Sequence, residues 1–301
     1  MPGPASWIHR TRELAFTPPL NPDNLYGHLV ATAVPGVEEW HDGAYRRTLA
    51  LPGGPGIVAL PPPVGRTVVA TLHLSDPADE DEAVRLARRI LDLDADPHAV
   101  DAVLCADDVL RPLVERSPGR RVPGNPDPDE FAVRAVLGQQ VSTAAARTHA
   151  ARLVRARGTP LPAPSGSSLT HLFPSAHELT ALRDEELGMP ASRKRTLHGL
   201  VAALADGSVD LRADLVTARH DLGALRGIGP WTVDSVAMRA LGDPDAFLPA
   251  DLGIRVAARD LGLPERDRDL VARAEVWRPY RAYATQYLWS ALDHAVNTMP
   301  G

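Results

Sequence analysis

Two groups of residues in this chain have the types and spacing for chemistry. In "LRGIGPWT", Leu225 to Thr232, Gly227 and Gly229 flank Ile228, and Pro230 can open a helix because its missing N–H costs nothing there. Glycines at such a turn let a phosphate approach backbone N–H groups at a helix N-terminus, where the helix dipole also favours an anion. About twenty residues on, in "FLPADLGI", Asp251 stands at the start of another helix. An aspartate there caps the helix, and at a pocket mouth it also presents a carboxylate. By itself G-x-G-P equally describes an ordinary helix-turn-helix corner, because short glycine motifs are weak signals.

The elements that must position these residues are read from periodicity. From Arg12 to about Asp76, "TRELAF", "GAYRRTLAL", "GIVAL" and "RTVVATLHL" alternate or run apolar between Pro and Gly punctuation, which predicts strands. "NPDNLYGHLVATAV" interrupts them as one helix, with Leu25, His28, Leu29 and Thr32 on a shared face. "DEDEAVRLARRILDL" follows as an amphipathic helix with acids at its start, where they suit the dipole. Beyond Pro97 helical periodicity dominates. "DEFAVRAVLGQQVSTAAARTHAARLVRARG" reads as helical up to Gly158, and "TPLPAPSGSSLTHLFPS" reads as a Pro/Ser-rich connection. Further helices are expected at 176–183, 193–205, 214–222, 230–241, 251–261, 265–274 and 278–296. The predicted class is α+β: a small sheet with helices over 1–96, then an all-helical body over 97–301 with a helical hairpin at 219–241.

Composition narrows the chemistry. At 301 residues and 44% hydrophobic the chain can bury a substantial core in two or three domains. It lacks an apolar run of membrane-spanning length and a secretory pattern at its start, so a cytoplasmic protein with no membrane partner is expected. Cys105 is the only cysteine, which excludes an internal disulfide, a cysteine-ligated zinc and a four-cysteine iron–sulfur cluster. The formal net charge of −6 argues against a uniformly basic nucleic-acid coat and leaves local patches open. Lys194 is the only lysine, and the densest basic cluster is "SRKR", Ser192 to Arg195, which is also what a solvated helix start looks like.

"FAVRAVLGQQVS", "LGMPASRKR", "LRGIGPWTVDSVAMRAL", "FLPADLGI" and "WRPYRAYATQYLW" together resemble the 3-methyladenine DNA glycosylase II family of bacteria, in order and spacing and over nearly the whole chain. The resemblance implies a helix-hairpin-helix glycosylase body behind a small antiparallel-sheet domain. It also implies a monomer that flips an alkylated base out of duplex DNA and hydrolyses its N-glycosidic bond. Asp251 would be the catalytic carboxylate, stabilising positive charge on the sugar. Relatives that also cut the strand carry a hairpin lysine where Trp231 stands here, so a monofunctional enzyme without a required cofactor is implied.

By the same resemblance Trp231, Trp289 and Tyr283 would wall an aromatic pocket for cationic purines, with Pro190, His28 and Ser235 near it. Trp and Tyr on amphipathic helices are also ordinary core residues. Gly227, Ile228, Gly229, Thr232, Gln140, Arg193 and Lys194 would touch DNA. A structural monovalent cation on the carbonyls of Gly223, Leu225 and Ile228 is a further implication. This chain departs from the family at Gln140, where a leucine wedge can stand, at Ser235, an aromatic position, and at His28 and Thr32, where phenylalanine and arginine can line the cleft. Two other readings stay open: a glycosylase for oxidised or deaminated purines, and a non-catalytic binder of distorted duplex.

Overall fold

A computed structural model describes residues 7–161 and 166–301 of the chain. Residues 1–6, and 162–165 of the expected Pro/Ser-rich connection, lie outside the described residues. The N-terminal part carries β1 (Ile8–Ala15), α1 (Pro22–Ala31), β2 (Glu38–His41), β3 (Ala44–Leu51), β4 (Gly54–Leu60) and β5 (Thr67–Leu74), followed by α2 (Glu80–Ile90). The five strands form one antiparallel sheet in the order β1-β5-β4-β3-β2. Its apolar face packs on α1 and α2 through residues such as Leu25, Tyr26, Tyr45, Leu72, Leu86 and Ile90. Asn21 and Asp23 begin α1 as a cap and a first-turn acid, and Pro22 sits where its ring is tolerated.

The helical body runs α3 (Pro97–Cys105), α4 (Arg111–Arg116), α5 (Pro128–Leu137), α6 (Thr143–Arg157), α7 (Ala176–Leu179), α8 (Ala191–Ala205), α9 (Leu215–Ala224) and α10 (Pro230–Val236). A π-turn over Ala237–Leu241 extends α10, and α11 (Leu252–Asp260), α12 (Asp267–Arg273) and α13 (Arg281–Trp289) complete it. Two apolar cores divide this body. One gathers α5, α6, α8, α9 and the Val233–Val236 side of α10; the other gathers α3, α4, α11, α12 and α13.

The structure departs from the expected elements in four places. β2 was not expected, because "EEWH" is acidic; Glu38 and Glu39 are nonetheless buried, since Glu38 accepts from Tyr45 and Val34 and Glu39 from Ser167 and Ser168. α3 and α4 were also missed. The helical run from 129 to 158 is two helices, broken at Gly138–Val141 where Gln140 takes a left-handed φ of 56°. The last helix ends at Trp289 rather than continuing to 296, and the tail folds back so that a short turn, Ala295–Asn297, packs on α1.

A buried ionic network joins the sheet to the helical body. Arg47 of β3 donates to Glu130 of α5 at 2.7 Å, and Arg134 of α5 reaches both Glu130 and Glu38 of β2 at 2.8 and 2.9 Å. Asn125 gives Glu130 a third donor at 3.1 Å. Burial alone would push the Glu130 carboxyl up; Arg47, Arg134 and Asn125 bring it below its ordinary value instead. Removing one partner of such a network strands the others without water. Glu130→Ala is therefore expected to cost about 3–5 kcal/mol of stability in urea denaturation; a loss below about 1 kcal/mol would show that the network is not what fastens sheet to helices.

Candidate DNA-lesion site

The helical hairpin begins with α9, capped by Asp214 through Val216 and Thr217 N–H, and ends past Ala224. Its turn is closed by Ile228 N–H donating to the Leu225 carbonyl at 3.1 Å. Gly227 needs to be glycine for two reasons: its φ is +88°, and a Cβ there would lie 2.0 Å from Thr196 Oγ1 on α8. Gly229 differs. Its φ is −98°, and nothing lies within 4 Å of where a Cβ would point. The N–H groups of Gly229 and Trp231 open α10, where no intrahelical acceptor exists. Arg226 is exposed in the same turn. Because Thr196 touches Gly227, the first turns of α8, with Arg193, Lys194 and Arg195, lie beside the hairpin.

Asp251 caps α11, its Oδ1 accepting Ile254 N–H at 3.1 Å. The same oxygen accepts Trp289 Nε1 at 3.0 Å, and Oδ2 accepts Trp231 Nε1 at 3.1 Å. The indole edges of the first turn of α10 and the last residue of α13 thus fix both carboxylate oxygens. Oδ1 has both lone pairs occupied, whereas Oδ2 keeps one, so a water or sugar atom can meet Asp251 only there. Gly253 makes the arrangement possible: a Cβ on it would lie 3.1 Å from both Asp251 Oδ1 and the Trp289 indole edge.

The α5–α6 turn closes against the hairpin through a residue that sequence reasoning passed over. Gln139 Nε2 donates to the Gly227 carbonyl and to Thr232 Oγ1, both at 3.1 Å. Its neighbour Gln140 is exposed. Arg239 was also missed, although a lone arginine inside "VAMRAL" is itself a signal. It is 6% exposed, donates to the Pro123 carbonyl at 2.9 Å, faces His28 Nδ1 at 3.4 Å, and lies over the Trp289 ring with its guanidinium carbon 5.5 Å from the centroid. Burial lowers its affinity for the proton while the nearby Asp251 charge raises it. His28 is held neutral, its pKa depressed first by burial and then by Arg239, Arg134 and His294. Nδ1 faces a guanidinium donor, so the ring proton belongs on Nε2.

Of the expected pocket residues, the structure brings together Asp251, Trp231 and Trp289, with His28 linked to them through Arg239. Tyr283 is placed elsewhere: it is buried, its hydroxyl donates to Asp92 at 3.0 Å, and its ring packs edge-on against Tyr280. Its aromatic bulk fills core and its polar tip is spent. Ser235 is 6% exposed inside α10. Pro190 is exposed at the start of α8, where its carbonyl takes Arg193 and Lys194 N–H.

Among the expected DNA contacts, Thr232 is buried and its hydroxyl is taken by Gln139; Ile228 is core, and its N–H is spent on Leu225. Lys194 Nζ donates to the Asp184 carbonyl, away from Asp251. A cavity of about 610 Å³ between β3, α2 and α5, lined by Arg47, Arg89 and Glu130, does not include Asp251. Among the described residues no cluster of His, Cys, Asp and Glu could hold a metal ion, and no helix is long and apolar enough to cross a membrane.

The architecture is one shared with solved base-excision glycosylases: the 3-methyladenine DNA glycosylase of Archaeoglobus fulgidus matches with a TM-score of 0.80 at 22% identity, over 93% of this chain and 97% of that one. The AlkA N-terminal domain family matches residues 11–127. DNA-3-methyladenine glycosylase 2 of Escherichia coli is 32% identical over 92% of this chain and 95% of its own length, and the chain belongs to this family. A protein of Mycobacterium tuberculosis described as a probable bifunctional transcriptional activator/DNA repair enzyme AlkA is 53% identical over 92% of this chain. The chain spans 56% of that relative's length.

The two hairpin glycines make separate demands. Gly227→Ala forces a left-handed alanine into Thr196 and is expected to cost at least about 2 kcal/mol in denaturant unfolding, whereas Gly229→Ala should stay within about 0.5 kcal/mol of the parent. Equal losses at both would mean that the turn is not built as described.

Proposed function

We propose that this chain is a monofunctional DNA glycosylase that excises N-alkylated purines of the 3-methyladenine and 7-methylguanine type from duplex DNA. It would act as a monomer in the bacterial cytoplasm, begin base-excision repair and require no cofactor. One observation carries the reading: the Asp251 carboxylate is set between the edges of Trp231 and Trp289, with one lone pair of Oδ2 free. Indole rings held by their edges keep faces for a flipped purine, and a stacked cationic base gains from the π-face. As the bond between base and sugar breaks, its electron pair leaves with the base and positive charge grows on the sugar. A fixed carboxylate in a partly desolvated site stabilises that charge. Water then supplies hydroxyl to the sugar carbon and its proton passes to solvent, because a cationic alkylpurine that takes the bonding pair leaves as the neutral base.

Trp231, not lysine, occupies the hairpin position at which strand-cutting relatives form a Schiff base, and the only lysine, Lys194, is engaged by Asp184. The grip on DNA would come from Gly229 and Trp231 N–H at the start of α10, with Arg193 and Arg226 beside them. The Leu225 carbonyl accepts one N–H and keeps a second lone pair, which is compatible with a monovalent cation shared with the Gly223 and Ile228 carbonyls. Gln140, exposed and left-handed at the tip of the α5–α6 turn, occupies the wedge position with a polar side chain.

Asp251→Asn tests the catalytic assignment. An asparagine still caps α11, but its amide cannot accept from both indoles, so a stability loss of about 1 kcal/mol is expected. Base release from methylated duplex under single-turnover conditions should slow by roughly 100-fold or more while affinity for abasic-site DNA is retained. A folded variant at close to the parent rate would return Asp251 to a structural cap.

The parent protein should leave abasic sites that break only in alkali or heat; direct nicking with borohydride trapping of protein on DNA would overturn the monofunctional reading. Gly229→Ala, whose fold is expected to be intact, should weaken binding to lesion and undamaged duplex alike, because phosphate contacts are blind to sequence. Unchanged affinity for both would remove the hairpin from the DNA interface.

A further inference from the structure

The π-turn after α10 has an unusual cargo. A π-turn inserts one extra residue into a helix and is often found where a side chain must be re-aimed. Here it spans Ala237–Leu241 and ends at Gly242, whose φ of 74° stops the helix, and the residue it carries inward is a cation. Arg239 is buried, and among the described residues its guanidinium is bonded to two neutral groups, the Pro123 carbonyl and His28 Nδ1. Asn125 N–H in turn bonds the Arg239 carbonyl at 2.9 Å, so both ends of the residue are fixed. The guanidinium lies over Trp289, whose edge donates to Asp251.

We propose that Arg239 is a specificity-determining residue: its buried charge behind Trp289 penalises a cationic base in the pocket and so narrows the advantage of charged alkylpurines over neutral lesions such as hypoxanthine. This rests on the glycosylase reading above. Two effects act in the same direction. The guanidinium already draws on the π-density of Trp289, leaving a less negative ring to meet a second cation. It also repels that cation through space. With 5.5 Å from guanidinium to ring centre and a further stacking separation of about 3.5 Å, the two charges lie on the order of 9 Å apart, which at an effective dielectric of about 20 disfavours the cationic base roughly tenfold or more. His28, neutral and 3.4 Å from Arg239, adds no compensating negative charge. Asp251 is the carboxylate near Arg239, and both of its oxygens are already held by the Trp231 and Trp289 indoles.

The experiment compares single-turnover release of 7-methylguanine from methylated duplex with release of hypoxanthine from deoxyinosine duplex. The proteins are the parent, Arg239→Met, Arg239→Gln and Arg239→Lys, each checked for fold by circular dichroism and for abasic-site DNA affinity. The two neutral variants should raise the 7-methylguanine to hypoxanthine rate ratio about tenfold, and Arg239→Lys, which keeps the charge, should stay within about twofold of the parent. A folded neutral variant with an unchanged ratio overturns the proposal, as does a lysine variant that shifts as far as methionine.

Should neither neutral variant fold, the parent decides alone through inhibition by two free bases of similar shape, the 7,9-dimethylguanine cation and neutral 7-methylguanine. Inhibition constants within about threefold of one another support the proposal, and a tenfold preference for the cation overturns it. A parent that releases neither base from DNA overturns the glycosylase reading itself, which separates the two failures.

Discussion

One carboxylate ties three distant parts of the helical body together. Asp251 accepts from the indole of Trp231 at the start of α10, from the indole of Trp289 at the end of α13, and from the Ile254 amide of its own helix. These hydrogen bonds to an ionised acceptor are stronger than neutral ones, and they are directional, so they fix how α10, α11 and α13 meet. The residues between Gly229 and Asp251 are what the chain needs to run along α10, through its π-turn, and back to the carboxylate. The capping and catalytic readings of Asp251 therefore do not compete. The cap sets the plane of the carboxylate, the indoles set its rotation, and what remains free is a single lone pair on Oδ2.

That site was legible in the sequence to the extent that its parts were carried by local chemistry. A G-x-G-P turn, an aspartate before a helical run and two tryptophans at helix ends are all local signals, and the structure joins them. The sheet was legible through alternation, since β1, β3, β4 and β5 fall where apolar runs were bounded by Pro and Gly. β2 was not, because the burial of its two glutamates depends in part on partners far along the chain, Arg134 and the serines at 167 and 168. Tyr283 shows the converse. Its place in an amphipathic helix fits pocket and core equally, and only the Asp92 hydroxyl acceptor, far away in sequence, decides for core. Gln139 had no local signature of its role, and Arg239 only the lone charge in an apolar run, because both act by reaching across to another element.

The hairpin separates what glycine does for a fold from what it can do for a ligand. At Gly227 the structure itself forbids a side chain, through a left-handed φ and the Thr196 hydroxyl. At Gly229 no residue of the chain forbids one, and the open space faces the first N–H groups of α10. The acidic balance of the chain does not extend to the same region. Many arginines elsewhere are spent on carboxylates, as Arg212 is on Asp127 and Asp129, and Arg281 on Asp245 and Glu275. The exposed Arg226 and the basic start of α8 lie beside the turn, so a net charge of −6 coexists with a local positive end.

The N-terminal sheet is part of the site rather than an appendage to it. Its edge strand β2 and α1 reach the helical body through one continuous set of buried charges: Glu38 holds Arg134, Arg134 shares Glu130 with Arg47, and Arg134 also bonds the Thr32 carbonyl at the end of α1. One turn earlier on α1, His28 meets Arg239, and Arg239 meets Trp289. Ionic networks of this kind contribute little net stability against apolar packing, but they are intolerant of displacement, because any shift leaves a charge buried and unpaired. The contact chain that runs from His28 of α1 through Arg239 to Trp289 of α13 needs that intolerance. Apolar contacts alone would let the sheet slide by an ångström at small cost, and a carboxylate fixed by two indole hydrogen bonds near 3 Å cannot accept an ångström of play.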